Sequence, residues 1–259
     1  MAVPALVGRS LVAFTPRPAA RCRLICFPCA GGGPSMFRPL SRLVPDDIEL
    51  LAACLPGREA RLREAPATNL LALAAQFTAD IAAHVDGPYL IFGHSMGAML
   101  AYEVCKWLQL TGKAPLPGTL TVSACVSPDL PRETNVIGQS DQRLSERLAS
   151  LGGIPPEAAR DPDLMRMVLP ITRADLEMVE VYTPRRGAPL DVDLMVVRGT
   201  EDHVARAEQM AAWPAVARRS VSHVRAGGHF YLLDPANRDW LIASFAEQAA
   251  KARLTPRAA

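Results

Sequence analysis

Seven residues, Ile91-Phe92-Gly93-His94-Ser95-Met96-Gly97, set one serine between two glycines directly behind an apolar run. Between a strand and a helix, G-x-S-x-G is the nucleophile elbow, a turn so sharp that it leaves little room for side chains at the flanking glycines. The turn holds the Ser95 hydroxyl clear of the sheet. The next helix aims its amino end at the site, so the Met96 N–H can stabilise the oxyanion formed when Ser95 attacks a carbonyl.

A serine hydroxyl attacks only if a base takes its proton, and the chain offers five histidines. His94 adjoins the nucleophile on the same turn and cannot easily reach around to it; His84 ends a helical pattern and His223 sits within a strand pattern. These three read as structural, and His203, beside an acidic pair, is a weaker competitor. His229 in "GGHFYL" stands just past the last predicted strand on a glycine-loosened loop, at the edge where Ser95 must sit, and is the chosen base. The chain order Ser, Asp, His then points to Asp202 in "RGTEDHV", which can orient the imidazole through Nδ1–H. Asp129 in "VSPDLP" is the competing acid, and Glu201 reads as a solvated neighbour.

A second oxyanion donor should come from the glycine-rich loop Phe27-Pro28-Cys29-Ala30-Gly31-Gly32-Gly33, with the Ala30 N–H as candidate. Cys26 and Cys29 also spell CxxC, but the serine constellation explains this loop with fewer assumptions than a redox pair. The chemistry asks for neither a metal nor an organic cofactor.

These groups need a scaffold, and short apolar runs alternating with helical periodicity supply one. The predicted strands are "RLICF", "ELLAACL", "YLIFG", "LTVSACV", "DLMVVRG" and "VSHVRA". "NLLALAAQFTADIAAHV" and "GAMLAYEVCKWLQLTG" predict helices, the second ending at Gly112. The fold class is α/β, a mostly parallel sheet covered on both faces, in a single domain of residues 1–259. Residues 128–187 carry helical patterns without a convincing strand and read as a helical lid insertion. Within it Ser140 is a plausible N-cap for "SDQRLSERLASLGG", and Pro170 should break or kink the helix in "DPDLMRMVLPITRADLEMVEVY". Leu164, Met165, Met167, Val168 and Leu169 either line a substrate tunnel or pack on one another; Met165 and Val168, with Cys29, are taken as substrate-lining. The first twenty residues predict a loose lead-in with a short edge strand, neither signal peptide nor membrane span.

With 28 Lys and Arg against 26 Asp and Glu, the net charge of +2 gives no field that would single out nucleic acid or an anionic membrane. Six cysteines in mostly apolar runs read as reduced, buried thiols of a cytoplasmic protein.

The stretches "FPCAGGG", "LPGREARLRE", "GHSMGA", "LPITRAD" and "GGHFYL", in that order over nearly the whole chain, resemble the type II thioesterases, the discrete editing enzymes of polyketide synthases and nonribosomal peptide synthetases. The resemblance implies an α/β hydrolase fold with a helical lid. It implies Ser95 as nucleophile, His229 as base and Asp202 as acid, with acyl thioesters on the phosphopantetheine arm of a carrier protein as substrate. The family commonly has an aromatic residue or histidine where Cys29 stands, and a proline beyond the acid that "TEDHV" lacks. Arg58, Arg61 and Arg63 of "LPGREARLRE" either meet an acidic carrier surface or pair with Glu59 and Glu64 or face water. A general medium-chain acyl thioesterase or carboxylesterase, an acyltransferase and a noncatalytic binding module are the competing readings.

Overall fold

The computed structural model describes residues 4–131, 135–154 and 156–254. Eight strands form one sheet: β1 (Ala5–Val7), β2 (Leu11–Ala13), β3 (Cys22–Phe27), β4 (Ile48–Ala53), β5 (Tyr89–His94), β6 (Thr119–Ser123), β7 (Leu190–Gly199) and β8 (Ala217–Arg225). Their order is β1-β2-β4-β3-β5-β6-β7-β8. Pairing is parallel from β4 through β8, while β1 and β2 add an antiparallel pair at one edge. The lead-in therefore holds two short strands where one was expected.

The helices are α1 (Arg38–Ser41), α2 (Leu70–His84), α3 (Met96–Thr111), α4 (Asp141–Ser150), α5 (Pro156–Ala159), α6 (Pro162–Glu180), α7 (Ala207–Met210) and α8 (Pro235–Leu254). Side chains alternate across the central strands, so each strand feeds two cores. Ile25, Phe27, Tyr89 and Ile91 pack against Phe77 of α2 and Leu100 of α3, whereas Leu24, Cys26, Leu90 and Phe92 pack against Leu241 and Phe245 of α8. A sheet buried on both faces explains the continuous apolar runs.

Local chemistry sets the helix ends. Asn69 accepts the Ala72 N–H at 3.0 Å, Ser140 the Arg143 N–H at 3.3 Å, and Gly112 closes α3 in the left-handed region at φ 61°. Asp161 accepts the N–H groups of Asp163 and Leu164, fixing the start of α6. Of the break or kink expected at Pro170, the break does not occur, since the helix runs on through it. A proline inside a helix forfeits one hydrogen bond, and buried Leu169, Thr172 and Asp175 on either side hold the helix in place.

The site's position follows from the order of strands. From β3 the chain moves outward to β4, then returns across β3 to form β5 on its other side. The loops after β3 and β5 thus diverge at a switch point, where a crevice opens at the carboxyl ends of parallel strands. The first loop carries Ala30 and the second Ser95.

Candidate active site

Ser95 lies between β5 and α3 with φ 55° and ψ −121°, backbone that a side-chain-bearing residue adopts only under constraint. The constraint is steric. A Cβ on Gly93 would overlap the Gly97 carbonyl, and one on Gly97 would overlap the carbonyl oxygens of Phe27 and Pro28. Gly93 is required because the elbow folds back on itself, and Gly97 because the loop after β3 presses against it. The Ser95 N–H donates to the Ser123 carbonyl at 2.8 Å, pinning the turn to β6.

His229 Nε2 lies 3.0 Å from Ser95 Oγ, and its Nδ1 lies 3.0 and 3.2 Å from the two carboxylate oxygens of Asp202. With Nδ1 protonated, Nε2 is left to accept the serine proton. Asp202 Oδ1 also accepts the N–H groups of Val204 and Ala205, at 2.9 and 3.0 Å. Burial pushes this carboxyl up, but the hydrogen bond and charge of His229 and the two amides outweigh it and hold the group below its usual value. Asp202 therefore stays ionised beside the imidazole. Asp129 is exposed and makes no bond to His229.

The remaining histidines stand apart from proton transfer. His84 closes α2, and His223 on β8 rests against the Trp240 ring at 5.0 Å. His203 borders the Ser95 cavity but is exposed. His94 is buried behind the site, with Nδ1 2.9 Å from Ser123 Oγ, itself 2.8 Å from the Tyr231 hydroxyl. Burial, and secondarily the charge of His229, keep His94 well below the usual imidazole range, so it stays neutral.

Around the serine, the Gly31 N–H is committed to Asp175 at 2.8 Å and the Gly32 N–H to the Cys29 carbonyl at 3.0 Å. Among the described residues no acceptor takes the N–H of Ala30 or Met96, and both residues line the cavity at Ser95. Those two amides are the ones free to meet an oxyanion.

The cavity at Ser95 encloses about 390 Å³. A second, mostly apolar one of about 370 Å³ shares Cys29, Ala30, Leu148 and Phe230 with it and is walled by Leu164, Met165 and Val168 of α6. Met167 points outward at 65% exposure, and Leu169 packs with Val136 and Leu144. Of the five apolar residues weighed on this helix, three thus line space and two do not.

Of the arginines of "LPGREARLRE", Arg61 does pair with Glu64 and Arg63 is exposed, but Arg58 and Arg61 are buried, so a surface formed by all three is corrected. Arg58 is buried and forms a two-pronged pair with Asp175, and Arg61 binds Glu64 and the Cys54 carbonyl. Glu59 turns to the Ser35 N–H and hydroxyl, not to an arginine. Only Arg63 is exposed. Residue-by-residue reading missed this because the pairing joins positions 58 and 175, although both lie in stretches that stand out, "LPGRE" and "LPITRAD". All six cysteines are buried and free, so Cys26 and Cys29 form no disulfide. Among the described residues no group of three or more His, Cys, Asp or Glu is placed to hold a metal, and no helix is long and apolar enough to cross a membrane.

The thioesterase domain family model matches residues 22–248. The gramicidin S biosynthesis protein GrsT of Aneurinibacillus migulanus is 30% identical over 220 residues, 83% of this chain and 85% of its own. The medium-chain S-acyl fatty acid synthase thioesterase of Homo sapiens is 32% identical over 230 residues, 85% and 84% of the two chains. Among solved structures, RedJ, the thioesterase of the prodiginine biosynthetic pathway in Streptomyces coelicolor, superposes with a TM-score of 0.85 at 33% identity over 96% of each chain.

Proposed function

The chain belongs to the thioesterase domain family and has the α/β hydrolase fold, and from that premise we propose that it removes stalled or aberrant acyl groups from the phosphopantetheine arm of acyl or peptidyl carrier proteins in a polyketide or nonribosomal peptide assembly line. The observation that carries this reading is the unbroken line Asp202–His229–Ser95 opening on a cavity that continues into an apolar chamber.

In this mechanism the thioester carbonyl sits against Ser95 with its oxygen toward the N–H groups of Ala30 and Met96. Ser95 Oγ attacks as its proton passes to His229 Nε2, and the imidazolium is stabilised by ionised Asp202. Collapse of the tetrahedral intermediate expels the pantetheine thiol, which takes the proton from His229. Water, deprotonated by the same nitrogen, then releases the free acid. Thiolate is a good leaving group, so the oxyanion donors supply the main electrostatic contribution. The apolar chamber takes the acyl chain against Met165, Val168 and Cys29, and residues 128–187 act as the lid of a single domain spanning 1–259. Six free thiols suit a reducing compartment, and we place the protein in the cytoplasm.

A second reading, hydrolysis of medium-chain acyl groups without carrier specificity, is favoured by the apolar lining of the chamber and by the identity to the human relative. Two measurements decide. Ser95→Ala should lower turnover by on the order of 10⁵ while leaving the melting temperature unchanged; near-normal turnover would reject the mechanism. The specificity constant for a carrier-bound acyl group should exceed that for the same group on CoA, and the advantage should shrink with added salt. Equal constants would favour the second reading.

A further inference from the structure

Asp175 is fully buried on α6, and no step of the hydrolysis uses it. Its Oδ2 accepts the Gly31 N–H at 2.8 Å and Arg58 Nη1 at 2.6 Å, while Oδ1 accepts Arg58 Nη2 at 2.7 Å. Arg58 Nη1 also donates to the Gly32 carbonyl at 2.9 Å, and the Gly32 N–H donates to the Cys29 carbonyl at 3.0 Å. The last bond matters most. A trans peptide points its N–H opposite its carbonyl, so holding the Cys29 carbonyl fixes the direction of the Ala30 N–H in the same plane. Gly31, at φ 73°, lies so close to α6 that a Cβ there would overlap Thr172 Oγ1. The loop thus rests on the helix, with a carboxylate and a guanidinium clamping the peptides that follow Ala30. Packing alone gives no reason for two buried charges at this spot, since an apolar pair of similar volume fills such space without the cost of desolvation.

We propose that Arg58 and Asp175 are positioning residues that hold the Ala30 N–H in the orientation required by the tetrahedral intermediate, making the seat of α6 and the shape of the oxyanion site one unit. The proposal rests on Ser95 as nucleophile and Ala30 as donor.

The test uses Arg58→Lys, which keeps the charge but cannot serve both carboxylate oxygens and the Gly32 carbonyl, and the double variant Arg58→Met with Asp175→Leu, which removes both ions. For each, kcat and KM on a small acyl thioester are compared with the affinity for a trifluoromethyl ketone, which forms an oxyanion adduct on the serine, and for an uncleavable thioether of the same acyl chain. Complete loss of an oxyanion donor costs roughly 10² to 10³ in kcat, so a misplaced one should cost about 10- to 100-fold. The ketone affinity should fall in step while KM and thioether affinity stay within about twofold. The double variant should melt closer to wild type than Asp175→Leu alone, yet regain no turnover. Wild-type kcat and ketone affinity in either variant would overturn the proposal, as would thioether affinity falling as far as that of the ketone. If the double variant does not fold, Arg58→Lys decides on the same criteria. Failure of the underlying reading shows differently, as turnover surviving in Ser95→Ala or as no ketone adduct on the wild-type enzyme.

Discussion

Two turns, at Ser95 and at Ala30, line one cavity, and they are held by different means. The elbow at Ser95 takes its sharp turn from its immediate neighbours Gly93 and Gly97, with Phe27, Pro28 and Ser123 of adjoining strand ends packed against it. The loop at Ala30 contains three successive glycines and a single turn bond of its own, from the Gly32 N–H to the Cys29 carbonyl, and it is held by Arg58 and by Asp175, which lies between β6 and β7 in sequence. One side of the proposed oxyanion site is held mainly by neighbours in sequence, and the other by a contact with α6. The difference teaches that two turns lining one pocket can be fixed by quite different ranges of sequence.

The sharpest way to probe the locally encoded side is Asp202→Asn, which leaves the elbow intact but favours the wrong imidazole tautomer. Turnover should fall roughly 10³- to 10⁴-fold, whereas Asp129→Asn should change little; steady-state rates of the two proteins decide, and the reverse ranking would move the acid to the end of β6. The same carboxyl gives a pH signature. Because its pKa is held below the unfolded value, its contribution to stability is fully present above that unfolded value and lost as pH falls through the folded one. The Asn variant should lack this acid-side increment in a melting series.

Gly97→Ala breaks the comparison itself, since its methyl group would push the elbow away from the Phe27 carbonyl at the start of the other loop. Overpacking of this kind typically costs about 1–3 kcal/mol of stability, and if the protein still folds, kcat should drop by about 10² as the two donors separate. An unaltered kcat with a lowered melting temperature would show that the two turns move independently.

The smallest effect reports on the distant side. Burial first, and then the charge of Asp175, push the Cys29 thiol up to about 12, with Arg58 opposing. At pH 8 the thiolate fraction is then on the order of one in 10⁴, so iodoacetamide should label Cys29 very slowly. If the clamp holds this loop, Arg58→Lys should raise the labelling rate several-fold by loosening it, measured by peptide mass; an unchanged rate would mean the loop keeps its shape without the clamp.

How much was legible follows the same division. Ser95, His229 and Asp202 stand at strand ends with glycine punctuation, so the α/β periodicity that locates the strands also locates them. Strand β8 was read too short because its first residues, Ala217-Arg218-Arg219-Ser220, are mostly exposed on an edge and lack the apolar run of a buried strand. Helix α8 went unread although Leu241, Phe245 and Ala249 recur at four-residue spacing, since the polar residues between them blur the apolar stripe. Arg58 was legible as a charge but not as a buried one: nothing near it in sequence announces a carboxylate on another element.

Pro170 sits inside one continuous helix, α6, that meets both the apolar chamber, which Thr172 also lines, and the glycine loop. Before it, Leu164, Met165 and Val168 face the apolar chamber; after it, Asp175 holds the glycine loop. Pro170 forfeits only its own helix hydrogen bond, and α6 runs on unbroken. A change of side chain at the chamber wall is then not insulated from the loop that Asp175 holds.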